Sequence, residues 1–400
     1  MQLSENISTL KPSATMAVSS LAKRLASEGR DILDLSAGEP DFDTPAFICD
    51  AAVDGIRAGA TRYTPPAGTP QLRKAIAAHL AGRAGRDIDW EGVVVTAGAK
   101  QALFNSIFSL FGPGDEVLIL APYWTTYPAL VGLARAQPVF VGGDASNDFK
   151  VGPDELEAAS TAKTRGMVLN SPSNPTGAVY TTAELAEIVA WARGRDVWIL
   201  SDEIYRSIYY GTEGHAAPGL LDLPEADLGP YVLIDGASKC FAMTGWRLGY
   251  TYASAELSKK FAALQSQMTS NPTTPAQVAM LAAYTNVEAA DAAVAEMTAA
   301  FQRRRDMVTT RIRELLPGVE FVDPVGAFYI YFRVDSFFDD EVKDATAWCS
   351  KLLEGQGVAL VPGAAFGDDR WVRMSFATSD EVLEKALARI AAGVAAGAAA

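Results

Sequence analysis

The sequence predicts an α/β protein built on a mainly parallel, seven-stranded sheet flanked by helices, with a smaller α+β domain beside it. Three observations lead there. Short apolar runs alternate with helical patterns from Val93 to Tyr252, as crossover connections between parallel strands require. Beyond Met297 the pattern changes to a long amphipathic helix, two strand patterns and a closing helix, which reads as a second packing unit. The chain has 400 residues, more than one hydrophobic core usually serves, so two lobes are expected.

Residues 1–45 read as an arm rather than a domain. Lys11-Pro12-Ser13-Ala14-Thr15 leads into a helical pattern from Val18 to Ala26. A short strand at Ile32–Leu35 then breaks into a turn through Gly38 and Pro40. After Tyr63-Thr64-Pro65-Pro66-Ala67-Gly68, Leu72, Ile76 and Leu80 recur every four residues as a helix face. The strand patterns follow at Val93–Thr96, Val117–Leu120, Val139–Val141, Met167–Leu169, Val197–Leu200, Val232–Ile234 and Leu248–Tyr252. No Gly-x-Gly-x-x-Gly follows any of them, which argues against a nicotinamide-binding Rossmann fold.

The helix opened by Gly98-Ala99-Lys100 carries Leu103, Ile107, Leu110 and Phe111 on one face. Its N-terminus is a natural anion site. Lys100 in the first turn opposes the helix dipole by roughly 0.3–1 kcal/mol, which makes sense either with an anion bound or with the side chain leaning into water. Met297, Phe301, Val308, Ile312 and Leu315 line the long helix; Phe328–Phe332 and Trp371–Phe376 read as strands. The closing helix runs from Ser379 through Leu383, Leu387 and Ile390, and the Gly/Ala tail from Gly393 is expected to fray. Residues 46–295 are therefore assigned to the large domain, and 1–45 with 296–400 to the arm and small domain. In the strand at 371–376, alternation puts Trp371, Arg373 and Ser375 opposite Val372, Met374 and Phe376. If the apolar trio faces the core, Arg373 points into a cleft or to solvent, and its fork matches a carboxylate.

A net charge of −14 argues against nucleic-acid binding. Arg303-Arg304-Arg305 is the only basic cluster, and its helical setting reads as a solvated face. Cys49, Cys240 and Cys349 are too dispersed for a CxxC pair, and with only His79 and His215 no zinc framework or Ser/His/Asp hydrolase is expected. Both histidines read as structural or solvated. No run approaches membrane-spanning length and Met1–Asn6 lacks a basic-then-apolar signal, so a cytoplasmic protein with no membrane partner is expected.

The chemistry gathers at the strand ends. Tyr231–Ile234 breaks into Asp235-Gly236-Ala237-Ser238-Lys239, which delivers a lysine to the edge where α/β sheets collect ligands. Its amine could form a Schiff base if burial or a nearby cation lowers its pKa, and Arg247 lies close enough in sequence to share the site and bring a phosphate. Alone, the stretch reads equally as a solvated lysine beside a structural arginine. Asn170–Gly177 and Ser201-Asp202-Glu203-Ile204-Tyr205 leave the same edge. Asp202 could cap a helix and Asn174-Pro175 could form a turn, but together these strand ends present several polar groups suited to one ligand.

These segments, with Lys11–Thr15, Ala37–Phe42, Tyr63–Gly68, Tyr123-Trp124 and Thr244-Gly245-Trp246-Arg247, resemble a class I/II aminotransferase of the pyridoxal-phosphate-dependent fold-type-I superfamily. The resemblance covers nearly the whole chain and is greatest to bacterial aspartate aminotransferases of the prokaryotic branch. It implies that Lys239 holds pyridoxal 5'-phosphate covalently and then acts as general acid/base. By the same resemblance Asp202 pairs with the pyridine nitrogen, Trp124 stacks on the ring, and Tyr205 and Asn174 meet its phenolic oxygen. Arg247, the backbone of Gly98 and Ala99, Ser238, and Tyr63 from a neighbouring subunit meet the phosphate. Arg373 binds the substrate α-carboxylate, assisted by Asn174 and the Gly38 backbone. A homodimer with shared sites is implied. Cys240 follows the lysine where this branch usually has alanine, and reads as a neutral small hydrophobe. The branch lacks the arginine that animal-type enzymes turn on an acidic side chain; Lys100 and the Lys11–Thr15 arm are the candidates here.

The implied activity is transamination of aspartate with 2-oxoglutarate through a pyridoxamine phosphate intermediate. Prephenate or aromatic transamination is the rival, since Lys11 could take prephenate's second carboxylate. A pyridoxal-phosphate lyase is a further reading. An aminotransferase-like transcription regulator is not expected, because the matching motifs begin by Lys11 and the charge is −14.

Overall fold

Val93, Val94 and Val95 are all fully buried, because the strand they form is covered on both faces. In the computed structural model, which describes residues 4–8, 10, 12, 14–212 and 216–398, every expected apolar run is a strand. The arm contributes β1 (Leu33–Asp34). The central sheet contains β2 (Val93–Thr96), β3 (Glu116–Ala121), β4 (Gln137–Gly142), β5 (Thr164–Asn170), β6 (Trp198–Asp202), β7 (Tyr231–Gly236) and β8 (Gly249–Tyr252). Their order is β2-β8-β7-β6-β5-β3-β4, parallel except for β8, which runs antiparallel to both neighbours. Alternation sorts the side chains. Val93, Val95 and Leu233 meet Leu72, Ile76 and Leu80 on one face, while Val94, Val232 and Ile234 meet Leu103, Ile107 and Phe261 on the other. Each such fully buried side chain contributes about 1.5–3 kcal/mol.

The second sheet comprises β9 (Phe321–Val322), β10 (Tyr329–Arg333), β12 (Val361–Pro362) and β13 (Trp371–Ser375), with all pairings antiparallel. Between β10 and β12, β11 (Val358–Ala359) pairs in parallel with β1 and so fastens the arm to the small lobe. Val372, Met374 and Phe376 enter the core with Phe301, Val308 and Ile312, which turns Arg373 the other way, as alternation predicts.

Three expectations need correction. The helix lined by Met297 and Phe301 spans Val287–Leu315, starting well before its apolar stripe and crossing the 295/296 boundary. Its first turns are alanine-rich, and alanine extends helices without any apolar face. The closing helix spans Asp380–Ala398 and does not fray at Gly393, which lies against Leu352 so closely that a Cβ would meet it at 3.1 Å. Nor is the arginine run a solvated face. Arg304 is 8% exposed and donates to both oxygens of Asp41, at 2.8 and 2.9 Å, and to Asp380 at 3.2 Å. Consecutive helical residues point about 100° apart, so a run of like charge cannot share one environment.

His79 packs edge-on against Tyr284 at 5.1 Å, a structural role; Lys11 and His215 lie outside the described residues. Among the described residues no helix is long and apolar enough to cross a membrane.

Candidate active site

The parallel register brings the strand ends together. Asn170 stands beside Asp202 and Asp202 beside Ile234, so the loops after β5, β6 and β7 open side by side. They face a cavity of about 480 Å³ that the arm and β13 close from the small-lobe side. Of the residues expected in the site, all but Gly98, Tyr63 and Lys11 line this cavity.

Lys239 sits in the short helix Ala237–Cys240 directly after β7, and its ammonium donates to the Gly38 carbonyl of the arm. Removal from water pushes its pKa down to about 8. Glu39 and Asp202 oppose that shift, while the charges of Arg373 and Arg247 add to it. Asp202, 3% exposed, accepts from the Tyr127 hydroxyl at 2.7 Å and the Ile204 N–H at 3.3 Å. These donors do not offset its burial, which raises the carboxyl to about 6.

Arg373 is 2% exposed. One terminal nitrogen donates to Asn174 Oδ1 at 3.0 Å and the other to the Ser36 carbonyl at 2.7 Å, while its Nε has no partner among the described residues. The guanidinium lies 4.4 Å from the Tyr329 ring centre, and no carboxylate of the described residues ion-pairs with it. A buried cation without a counter-charge costs several kcal/mol, so the pocket is built for an anion it does not itself supply.

The anion-binding features continue at the far strand. Gly98 takes φ +81°, and a Cβ there would lie 2.6 Å from Arg247 Nη2, so only glycine lets the arginine lie over this turn. The helix Ala99–Leu110 starts there with no side-chain cap. Arg247 donates to the Thr244 and Ala97 carbonyls at 2.9 and 3.5 Å. Lys100 holds its ammonium 4.9 Å from the Trp124 ring centre, and removal from water, with the Arg247 charge, lowers its pKa. Tyr205 bonds the Tyr329 hydroxyl at 2.8 Å, and Tyr329 in turn borders Gly38, where a Cβ would come within 3.1 Å of its oxygen.

Gly98 lies behind Arg247 rather than on the cavity wall, and Tyr63 is 90% exposed. Sequence reasoning missed Tyr127, Tyr329, Glu39 and Thr244, and with them Met16, Ser19 and Lys23 of the helix Ala14–Ser27, which form one wall with Thr15, the end of the expected Lys11–Thr15 arm. The helical spacing of that wall was available in the sequence. Its direction was not, and nothing distinguishes Tyr127 or Tyr329 from core tyrosines before the lobes are docked.

The model of the family described as aminotransferase class I and II matches residues 30–390. The chain is 42% identical to the aspartate/prephenate aminotransferase of Cereibacter sphaeroides, over 98% of each chain. It is 39% identical to the aspartate aminotransferase of Bacillus subtilis, again over 98% of each. Its fold is similar to that of the Thermus thermophilus aspartate aminotransferase solved with maleate, with a TM-score of 0.92 at 41% identity, covering 98% of this chain and 100% of that one.

Proposed function

This chain belongs to the class I and II aminotransferases, and from that premise we propose that it transfers the amino group of an acidic L-amino acid, aspartate first, to 2-oxoglutarate. The observation that carries the reading is Arg373: a buried guanidinium with an unpartnered Nε, in one cavity with Lys239 and Asp202.

The family depends on pyridoxal phosphate, and the cavity suits that group. Asp202 is a buried carboxyl that ion-pairs with no cation among the described residues, Lys239 acting on it only from a distance, and a protonated ring nitrogen would supply that partner. The uncapped helix N-terminus beside Arg247, whose fork meets only carbonyls among its described hydrogen bonds, matches a phosphate. Trp124 offers a ring face, Tyr205 and Asn174 would donate to the phenolic oxygen, and Ser238 with the backbone of Gly98 and Ala99 would support the phosphate. When bound, the group supplies an electron sink for charge developing at the substrate Cα.

Lys239 would hold the cofactor and, released by the incoming amine, move the proton at Cα. With a pKa near 8, about a tenth of such amines are neutral at pH 7, against roughly one in a few thousand for an ordinary lysine. Arg373 would grip the α-carboxylate with its free edge. Asn174 keeps its Nδ2 hydrogens for the ligand because its Oδ1 already accepts from Arg373. The Gly38 carbonyl would steady the lysine between proton transfers, and its neighbouring backbone would assist the carboxylate. Lys100 and Lys11 would serve the distal carboxylate.

We further propose a homodimer in which Tyr63, exposed on one subunit, completes the phosphate site of the other. Action in the cytoplasm is proposed with it, in keeping with free thiols at Cys49, Cys240 and Cys349. The curated relative that also acts on prephenate supports a second reading, prephenate as acceptor on the same site.

Single-turnover half-reactions of the holoenzyme with a panel of amino acids, followed by absorbance, test the proposal. Aspartate and glutamate are expected to react fastest, and borohydride to fix the cofactor to Lys239. Failure to bind pyridoxal phosphate overturns the chemistry. Preferential turnover of prephenate and aromatic acceptors promotes the second reading, and release of pyruvate and ammonia without an oxo acid points to a lyase.

A further inference from the structure

Among the described residues five cations line the cavity, Lys23, Lys100, Lys239, Arg247 and Arg373, against two carboxylates, Glu39 and Asp202, in a chain of net charge −14. A cationic cleft in an acidic protein concentrates anions at its mouth. Four of these cations have roles above. Lys23 has none.

Lys23 stands on the helix Ala14–Ser27, one turn after Ser19 and two after Thr15, so the three share the wall that faces the cavity. The helix is held from behind, where Val18, Ala22 and Leu25 pack with Leu353 and Ala359. It is also tied to the substrate anchor. Ser19 Oγ donates to Asp34 Oδ2 at 3.2 Å, the Ser36 N–H donates to Asp34 Oδ1 at 2.9 Å, and the Ser36 carbonyl accepts from Arg373 at 2.7 Å. A lysine stem on a helix tends to run back toward the N-terminus over the turn before its own Cα, which for Lys23 is the Ser19 turn of the same cavity wall. No carboxylate of the described residues ion-pairs with it. Lys100, proposed above for the distal carboxylate, is drawn onto the Trp124 ring beside Arg247, so Lys23 would act with it rather than in its place.

We propose that Lys23 is a specificity-determining residue that meets the distal carboxylate of dicarboxylic amino and oxo acids and so favours dianionic substrates over neutral ones of the same length. The proposal rests on the amino-acid reading of the site. An exposed cation acting on an exposed carboxylate is worth a modest factor, about three- to tenfold.

The test uses holoenzyme with Lys23→Met and Lys23→Arg. For Lys23→Met, kcat/KM in the half-reaction with aspartate and glutamate is expected to fall about three- to tenfold through KM, with kcat little changed. Asparagine and glutamine should move less than twofold, and Lys23→Arg should recover most of the loss. The affinity for succinate, which cannot react, should fall by the same factor, while that for butyrate holds. Equal effects on acidic and neutral substrates, or none on either, overturn the assignment. If the wild-type protein itself does not prefer aspartate to asparagine, the acidic-substrate reading fails and Lys23 falls with it. A wild-type preference that is undiminished in Lys23→Met overturns Lys23 alone.

Discussion

Asp202 stores a burial cost that a protonated ring nitrogen would offset in the proposed role. Its carboxyl, about 6 in the folded chain against an ordinary 3.8, keeps its proton to higher pH than in the unfolded chain. The contribution of Asp202 to the folded stability of the cofactor-free protein therefore falls as pH rises from about 4 to 6, by roughly 3 kcal/mol. Asp202→Asn removes that cost. The cofactor-free variant is expected to be at least as stable as wild type at pH 7 and to show a shallower fall between pH 4 and 6, where buried Asp235, raised to about 7, keeps its own share, as denaturant titrations at several pH values would show. Its half-reaction should slow at least ~100-fold, because a neutral amide cannot hold a protonated ring nitrogen. Lys239 is shifted the opposite way, to about 8. Its neutral fraction grows as pH rises through 8, so reductive methylation of Lys239 in the cofactor-free protein should titrate with a midpoint near 8. A midpoint near 10.5 would mean that the amine is not removed from water.

Among the elements, the strap from β1 to Thr44 joins the two lobes. It offers Ser36 O to Arg373 and Gly38 O to Lys239, bonds Thr244 through Glu39 at 2.8 Å, and is fixed by Asp41 to Arg304 of the long helix. At its far end Thr44 Oγ1 donates to the Ala242 carbonyl and accepts from the Trp246 indole, at 2.8 and 3.0 Å. Asp41→Ala leaves the buried Arg304 with Asp380 as its only carboxylate among the described residues. A loss of about 2–4 kcal/mol is expected in equilibrium denaturation, with part recovered by adding Arg304→Met. The strap also shows where sequence patterns stop. Its turn was legible from Gly38 and Pro40, and the central strands were legible because burial on both faces demands unbroken apolar runs. The Asp41–Arg304 pair was not, since the two residues lie 263 positions apart and each resembles an ordinary surface charge.

For the whole molecule, the proposed sharing of Tyr63 makes a distinctive prediction. Lys239→Ala and Tyr63→Ala proteins should each be poorly active alone. Dissociated, mixed and reassociated, they should form hybrids in which one site is intact, and activity should recover to about a quarter of wild type if pairing is random. No recovery, with hybrid dimers demonstrated by mass, would mean that each subunit builds its site alone.

By itself the sequence determined the order of strands and helices, the delivery of Lys239, Asp202 and Asn174 to strand ends, and the side of β13 on which Arg373 lies. These follow from periodicity and chain connectivity, which are local. Only the tertiary structure decided that the helix Ala14–Ser27 walls the cavity, that Tyr127 donates to Asp202, that Tyr329 borders Gly38, and that Arg373 is buried without a counter-charge. Those facts depend on how two lobes and an arm dock. Docking is set by shape and burial summed over residues far apart in the chain, so no window of sequence contains it.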